Sequence, residues 1–309
     1  MKKRFTRKVF LILIFVSALI VFASCKVNIN EVIPAETETT VVEETEPSVL
    51  YNPLWSEEKI YLDMNFPYAT YSVINDGFAV LYKQDSRYVN YKDKVIAVNA
   101  GHGTKGGSKL KTYSHPDFTP KVSDGSTMKG AVMSTAVSVG MTFENGVTEA
   151  EVNFMVAERL RDKLLNDGYS VLMIRTGEDV QLDNIARTVI ANMYADAHIA
   201  IHFDTTHSDK GIFFITPYNN KTYLSMEPLK SNADNIRKLG RAIIAVFNEM
   251  GEKVWKGKGE LQLDLTQMSY STNPSVDIEL GDVKTVITDE KLDIFAEGIK
   301  RGIDRYFTS

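Results

Sequence analysis

The apolar residues of this chain are first continuous, then sparse, then periodic. Val9–Ala23 is an almost unbroken apolar run behind Lys2, Lys3, Arg4, Arg7 and Lys8, the order of charge and hydrophobicity found in a secretory signal. The run is short for a bilayer span, which takes about 20 residues. Residues 26–50 place Glu31, Glu36, Glu38, Glu43, Glu44 and Glu46 among Thr, Val and Pro with no periodic apolar face, which predicts an extended, disordered acidic tether over 25–50. From Tyr51 onward the pattern is that of a folded chain. Residues 51–94 hold aromatic-rich, strand-like pieces such as Phe78–Tyr82, whose place in the fold stays open. Beyond them short apolar runs alternate with helical stripes. The fold class predicted is α/β, one domain with a central sheet flanked by helices on both faces.

The individual elements follow from local signals. Val95–Ala100 reads as a strand ending at Gly101. Thr148 and Glu151 form a capping box that opens a helix through Val152, Met155, Val156, Leu160 and Leu164, stopping at Gly168. Tyr169–Ile174 is a strand, and Asp183 caps a helix with the stripe Ile185, Ala186, Val189, Ile190 and Met193. Ala197–His202 and Ile212–Thr216 are strands. Ser231 with Asp234 opens a helix through Ile236, Leu239, Ile243 and Phe247. Leu261–Leu265 and Val276–Leu280 are strands, and Thr288 caps a last helix carrying Leu292, Phe295, Ile299 and Ile303. Residues 104–147, rich in Gly, Ser, Thr, Lys and Met, match no regular element, and a loop so long inside a compact domain is usually functional.

Composition narrows the function classes. The 309 residues are 44% hydrophobic and 24% charged, the balance of a globular protein. A formal charge of −5 argues against a nucleic-acid binder, which needs a basic footprint. Loss of residues 1–24, which carry five basic and no acidic side chains, would leave −10 on the remainder. The single cysteine, Cys25, excludes an internal disulfide and any metal site built on two thiolates. It lies where the apolar run ends, in Phe22-Ala23-Ser24-Cys25, and this segment resembles the lipobox of bacterial lipoproteins, with Phe22 in place of the usual leucine. That resemblance implies a signal peptide over 1–24, lipidation of Cys25 and anchoring to the outer face of a bacterial membrane. A secreted protein and an uncleaved signal anchor are the alternatives.

Gly101-His102-Gly103-Thr104-Lys105-Gly106 matches a dinucleotide fingerprint, but no helical pattern follows to hold a pyrophosphate, which argues against a nucleotide. The strand ends carry other chemistry. Val95–Ala100 runs into His102, Ala197–Ile201 into His202 and Val276–Ile278 into Glu279, and Glu149 opens the first long helix. Ligands of α/β sheets gather beyond the carboxyl ends of strands, and two imidazoles with a carboxylate leave a zinc ion one open position. Each residue also has a structural reading. His102 is then a loop histidine, Glu149 complements the helix dipole, His202 is a satisfied strand-end histidine and Glu279 an ion-pair partner. His198 shares a strand face with His202, so periodicity does not choose between them.

The order of these segments resembles the zinc-dependent N-acetylmuramoyl-L-alanine amidases of bacterial cell walls. Val95–Gly107 is similar to the family's opening strand and Gly-His-Gly-Gly loop, and Thr148–Asn153 to its glutamate with an asparagine four residues on. Arg187–His202 resembles its Arg…Ala-Asn…Ala-Asp…Ser-Ile-His stretch, and Pro274–Gly281 its late glutamate-bearing strand. The resemblance implies a phosphorylase/hydrolase-like fold with a twisted, mostly parallel or mixed sheet over a catalytic domain at 51–309. It also implies one zinc held by His102, Glu149 and His202, catalysis by Glu279, and peptidoglycan as the substrate. His198 then becomes a core or supporting group, and Arg187 supports helix-to-sheet packing or a neighbouring carboxylate. The chain departs from the family pattern at Ala200, Asp204 and Asp277, and in the insertion at 104–147. Rival expectations are a zinc hydrolase of another wall amide (a peptidase or deacetylase), a non-catalytic lipid-anchored wall-binding protein, and a silent amidase homologue closed by the insertion.

Overall fold

Buried runs of Val, Ile, Leu and Ala build the centre of the sheet, and a charged run finishes its N-terminal edge. In a computed structural model, which describes residues 55–309, the strands β1 (Trp55–Tyr61), β2 (Phe78–Gln84) and β3 (Val95–Ala100) come first. A small hairpin of β4 (Lys111–Tyr113) and β5 (Met133–Thr135) precedes helix α1 (Glu149–Asn166). Next come β6 (Ser170–Met173), α2 (Asn184–Tyr194), β7 (Ala197–Asp204) and β8 (Phe213–Pro217). The short α3 (Lys221–Leu224), the long α4 (Leu229–Glu249), β9 (Glu260–Leu263), α5 (Thr266–Tyr270), β10 (Ser275–Asp282) and α6 (Asp289–Thr308) complete the chain. No described helix is long and apolar enough to cross a membrane. The segments expected to be a signal peptide and a tether, with Cys25, lie outside the described residues.

The eight-stranded sheet runs β1-β2-β6-β3-β7-β10-β8-β9. Its centre, β6-β3-β7-β10, is parallel and almost wholly buried, as expected for strands covered on both faces. β1 and β2 add antiparallel strands beside β6, so the N-terminal segment extends the sheet. The outermost strand, β1, exposes Ser56, Glu57, Glu58 and Lys59, a charged edge that resists further pairing.

Helices α1, α4 and α6 pack on one face against Ile96, Val98, Ile199, Ile201, Val276 and Ile278. Helix α2 covers the other, over Ala97 and Leu172. The chain leaves β3 towards β6 but leaves β7 towards β8, on the opposite side. Adjacent strands whose connections part in this way open a crevice at their carboxyl ends. His102 and His202 stand at that crevice.

Two elements differ from the sequence reading. The α4 helix begins at Leu229, after Pro228, and not at a Ser231 cap. Ser231 instead donates to Glu227 and Asp234 pairs with Arg237 within the helix. The 104–147 segment is not structureless: its hairpin pairs Thr112 with Ser134, both buried. It is pinned to the sheet by Asp264, which accepts from Lys121 Nζ (2.7 Å), from the Val122 amide (2.5 Å) and from Ser123.

Candidate metal centre

Each functional side chain is placed by backbone chemistry nearby. The Thr148 hydroxyl accepts from the Glu151 amide (3.3 Å), and the Glu151 carboxylate accepts from the Thr148 amide (2.8 Å). That box fixes where α1 begins, and so fixes Glu149 in its first turn. A cap is worth about 1 kcal/mol. Burial of Val152, Val156, Leu160 and Leu164 contributes roughly 6–12 kcal/mol in all. Packing therefore holds the helix, and the cap sets its register.

His102 follows β3 through Gly101 and adopts a left-handed φ of 64°, a conformation sparsely populated for residues other than glycine. Its loop is held by two buried arginines. Arg187 donates to the carbonyl of His102 (2.6 Å) and to Thr104, and Arg175 to the carbonyls of Ala100 (3.2 Å) and Gly101 (3.3 Å). Arg187 thus supports a loop rather than a carboxylate.

The three side chains meet as a tight triangle. His102 Nε2 lies 2.8 Å from Glu149 Oε1, and His202 Nδ1 lies 3.1 Å from both of these atoms. A tetrahedral zinc with N and O ligands at 2.0–2.1 Å has ligand-to-ligand edges of about 3.3 Å, so the donor set and its spacing fit such an ion. The remaining polar atoms are anchored from outside. His102 Nδ1 meets the Ser138 carbonyl at 2.8 Å, an arrangement that puts the proton on Nδ1 and frees Nε2. Glu149 accepts from the amides of Met141 (2.9 Å) and Phe203 (3.0 Å), and Asn153 Nδ2 lies 3.4 Å from its Oε1.

The electrostatics favour a cation. Burial works against ionisation of Glu149, but hydrogen bonds from His102 and His202 hold its carboxyl well below the usual range. Burial likewise opposes charge on His202, yet Asp277 and Glu149 lift its imidazole to about 9. A metal ion bound there would displace that proton. Among the described residues, no other trio of His, Cys, Asp and Glu offers such a cluster.

Glu279 stands beside this triangle, opposite His202 in the parallel β7–β10 register. Its Oε2 is buried without a hydrogen-bond partner. Burial raises its carboxyl well above the ordinary range, and the charge of Asp277 adds to the rise. His198 lies away from the donors, fully buried against Ser275 Oγ at 3.3 Å. Burial and the Arg187 charge push it down to about 3, so it is a neutral core group.

The insertion contributes what the sequence did not signal. Met141 acts through its backbone, Ser138 through its carbonyl and also its hydroxyl, which lies 3.1 Å from His102 Nδ1, and Gly140 fits because it has no side chain. A Cβ there would fall 2.7 Å from His102 Cδ2 and 2.8 Å from Glu149 Oε2, at a φ of +80°. Gly140→Ala is therefore expected to weaken divalent-metal binding at least about tenfold in a competition titration. Gly146→Ala is the control. It carries the same left-handed penalty, about 1–2 kcal/mol, with no atom within 4 Å, and should leave metal binding unchanged. The glycine-rich match at 101–106 is followed by a single 3-10 turn at Gly107–Lys109 instead of an α-helix.

Residues 96–305 match the family described as N-acetylmuramoyl-L-alanine amidase. Solved structures of similar fold include the amidase Ami1 of Mycobacterium smegmatis, with 18% identity, a TM-score of 0.55 and coverage of 71% of this chain and 99% of that one. Ami1 of Mycobacterium abscessus gives 19%, 0.53, 70% and 99%. An N-acetylmuramoyl-L-alanine amidase of Clostridium difficile 630 gives 17%, 0.50, 70% and 97%. No curated protein matches the chain.

Proposed function

This chain belongs to the N-acetylmuramoyl-L-alanine amidase family, and from that premise we propose that it is a zinc-dependent peptidoglycan hydrolase. The bond it cleaves is the amide between the lactyl group of N-acetylmuramic acid and L-alanine of the stem peptide. The observation that carries this reading is the His102–Glu149–His202 triangle with Glu279 beside it on the adjacent strand. In this reading His102 Nε2, Glu149 Oε1 and His202 Nδ1 hold one zinc ion. When bound, the ion supplies Lewis acidity to a water and to the scissile carbonyl.

Glu279 then takes the proton of the attacking water and returns it to the nitrogen of the leaving amine. A carboxyl raised above its ordinary range suits both steps, being basic enough to accept and acidic enough to give back. Asn153 and the amides of Met141 and Phe203 keep Glu149 aimed at the trio. Ser138 keeps His102 in the tautomer that presents Nε2.

Cys25 is the proposed lipid attachment point, with 25–50 as a tether joining the membrane to the catalytic domain. Such an enzyme works on the wall outside the cytoplasm. The test is digestion of purified walls, which should release stem peptides with new free L-alanine amino groups and no new reducing ends. New amino groups on other residues would instead indicate a peptidase, and released acetate a deacetylase.

A further inference from the structure

Asp277 stands on the same face of β10 as Glu279 and two residues before it. In the β7–β10 register it lies opposite Ala200, one step down the sheet from His202. It is 8% exposed. Its Oδ1 has no hydrogen-bond partner, and its Oδ2 lies 3.8 Å from His202 Nε2, an ion-pair distance.

The His202 ring lies at the other oxygen, Oδ2. Its Nδ1 edge is committed to His102 and Glu149, at 3.1 Å from each. Its other edge therefore faces Asp277. An imidazole that gives one nitrogen to a cation must carry its proton on the other, and a carboxylate facing that N–H fixes the tautomer, aims the ring and makes it a stronger donor. His102 is served in the same way by the neutral Ser138 carbonyl. The two histidines thus have different anchors, one a peptide oxygen from the insertion and one a buried carboxylate from the sheet.

We propose that Asp277 is a positioning residue for the metal centre, holding the His202 ring so that Nδ1 is presented to the trio. This inference rests on the metal-site reading above. It gives the second carboxylate on β10 a role distinct from that of Glu279, which moves the proton.

The test is a zinc titration of the intact chain against a chromophoric chelator, with Asp277→Val and Asp277→Asn alongside. Circular dichroism of each metal-free variant verifies its fold. Asp277→Val should bind zinc about 10–100-fold more weakly. Asp277→Asn keeps the shape and an acceptor oxygen, so it should lose less than Asp277→Val. Nitrogen NMR of the zinc-loaded chain should show His202 protonated at Nε2, with that N–H signal shifted in both variants. Zinc affinities within about twofold of the unaltered chain, in folded variants, would overturn the proposal even if hydrolysis were slower, because Asp277 would then act on Glu279 alone. If the unaltered chain itself bound no zinc, the metal-site reading would fail first, and the role of Asp277 with it.

Discussion

Glu279→Gln is expected to slow amide hydrolysis by about 10²–10⁴-fold while leaving the metal content of the protein unchanged. Gln has nearly the same volume, so the buried setting between β7 and β8 survives, and Glu279 is not one of the three clustered donors. What the substitution removes is the ability to take a proton from water and hand it to the departing amine. The unpartnered Oε2 points to the same conclusion. A structural ion-pair partner would be bonded to a cation, and none meets this oxygen. Metal analysis and wall digestion on one preparation give the answer. Near-normal hydrolysis in the Gln variant would remove Glu279 from this role.

His202→Ala should have the opposite signature, losing metal and activity together. Alanine deletes one of three donors, and the expected fall in zinc affinity is larger than the roughly 10–100-fold that outer partners cost. The loss spreads further, because Glu149 gives up the contact with Nδ1 at 3.1 Å while its carboxylate remains buried. A stability comparison separates metal loss from misfolding. Ligands that bind only the folded state raise its stability, so zinc should raise the melting temperature of the unaltered chain and leave that of the folded variant unmoved. A variant that still melts later with zinc would show that His202 is not a ligand.

The fold was legible wherever local chemistry decides. Thr148 with Glu151, Asp183 and Thr288 cap their helices as their side chains suggest. The caps fail as signals only at Ser231 and Asp234, where Pro228 starts the helix earlier. The β4–β5 hairpin escaped notice because its strands are three residues long and its buried members, Thr112 and Ser134, are polar. No apolar alternation marks it.

The site divides in the same way. His102, Glu149, His202 and Glu279 stand at element ends that sequence patterns reveal. The choice between His198 and His202 did not follow from periodicity, since both face the same side of β7. The family resemblance separates them, and the packing of His198 against Ser275 agrees with it. Met141 and the Ser138 carbonyl work through backbone atoms, which leave no trace in residue type, and Gly140 through the lack of a Cβ. Arg175 was missed for a related reason. It lies two residues beyond β6, and its burial under the Gly101 loop comes from tertiary packing.

The most direct test of the central claim is a single titration. The purified chain is stripped with a chelator and zinc is returned in steps. At each step free L-alanine amino groups released from cell walls are counted against bound metal. The account predicts no release from the stripped protein, a linear rise to one equivalent of zinc, and no further gain. Full hydrolysis by the metal-free chain would contradict it.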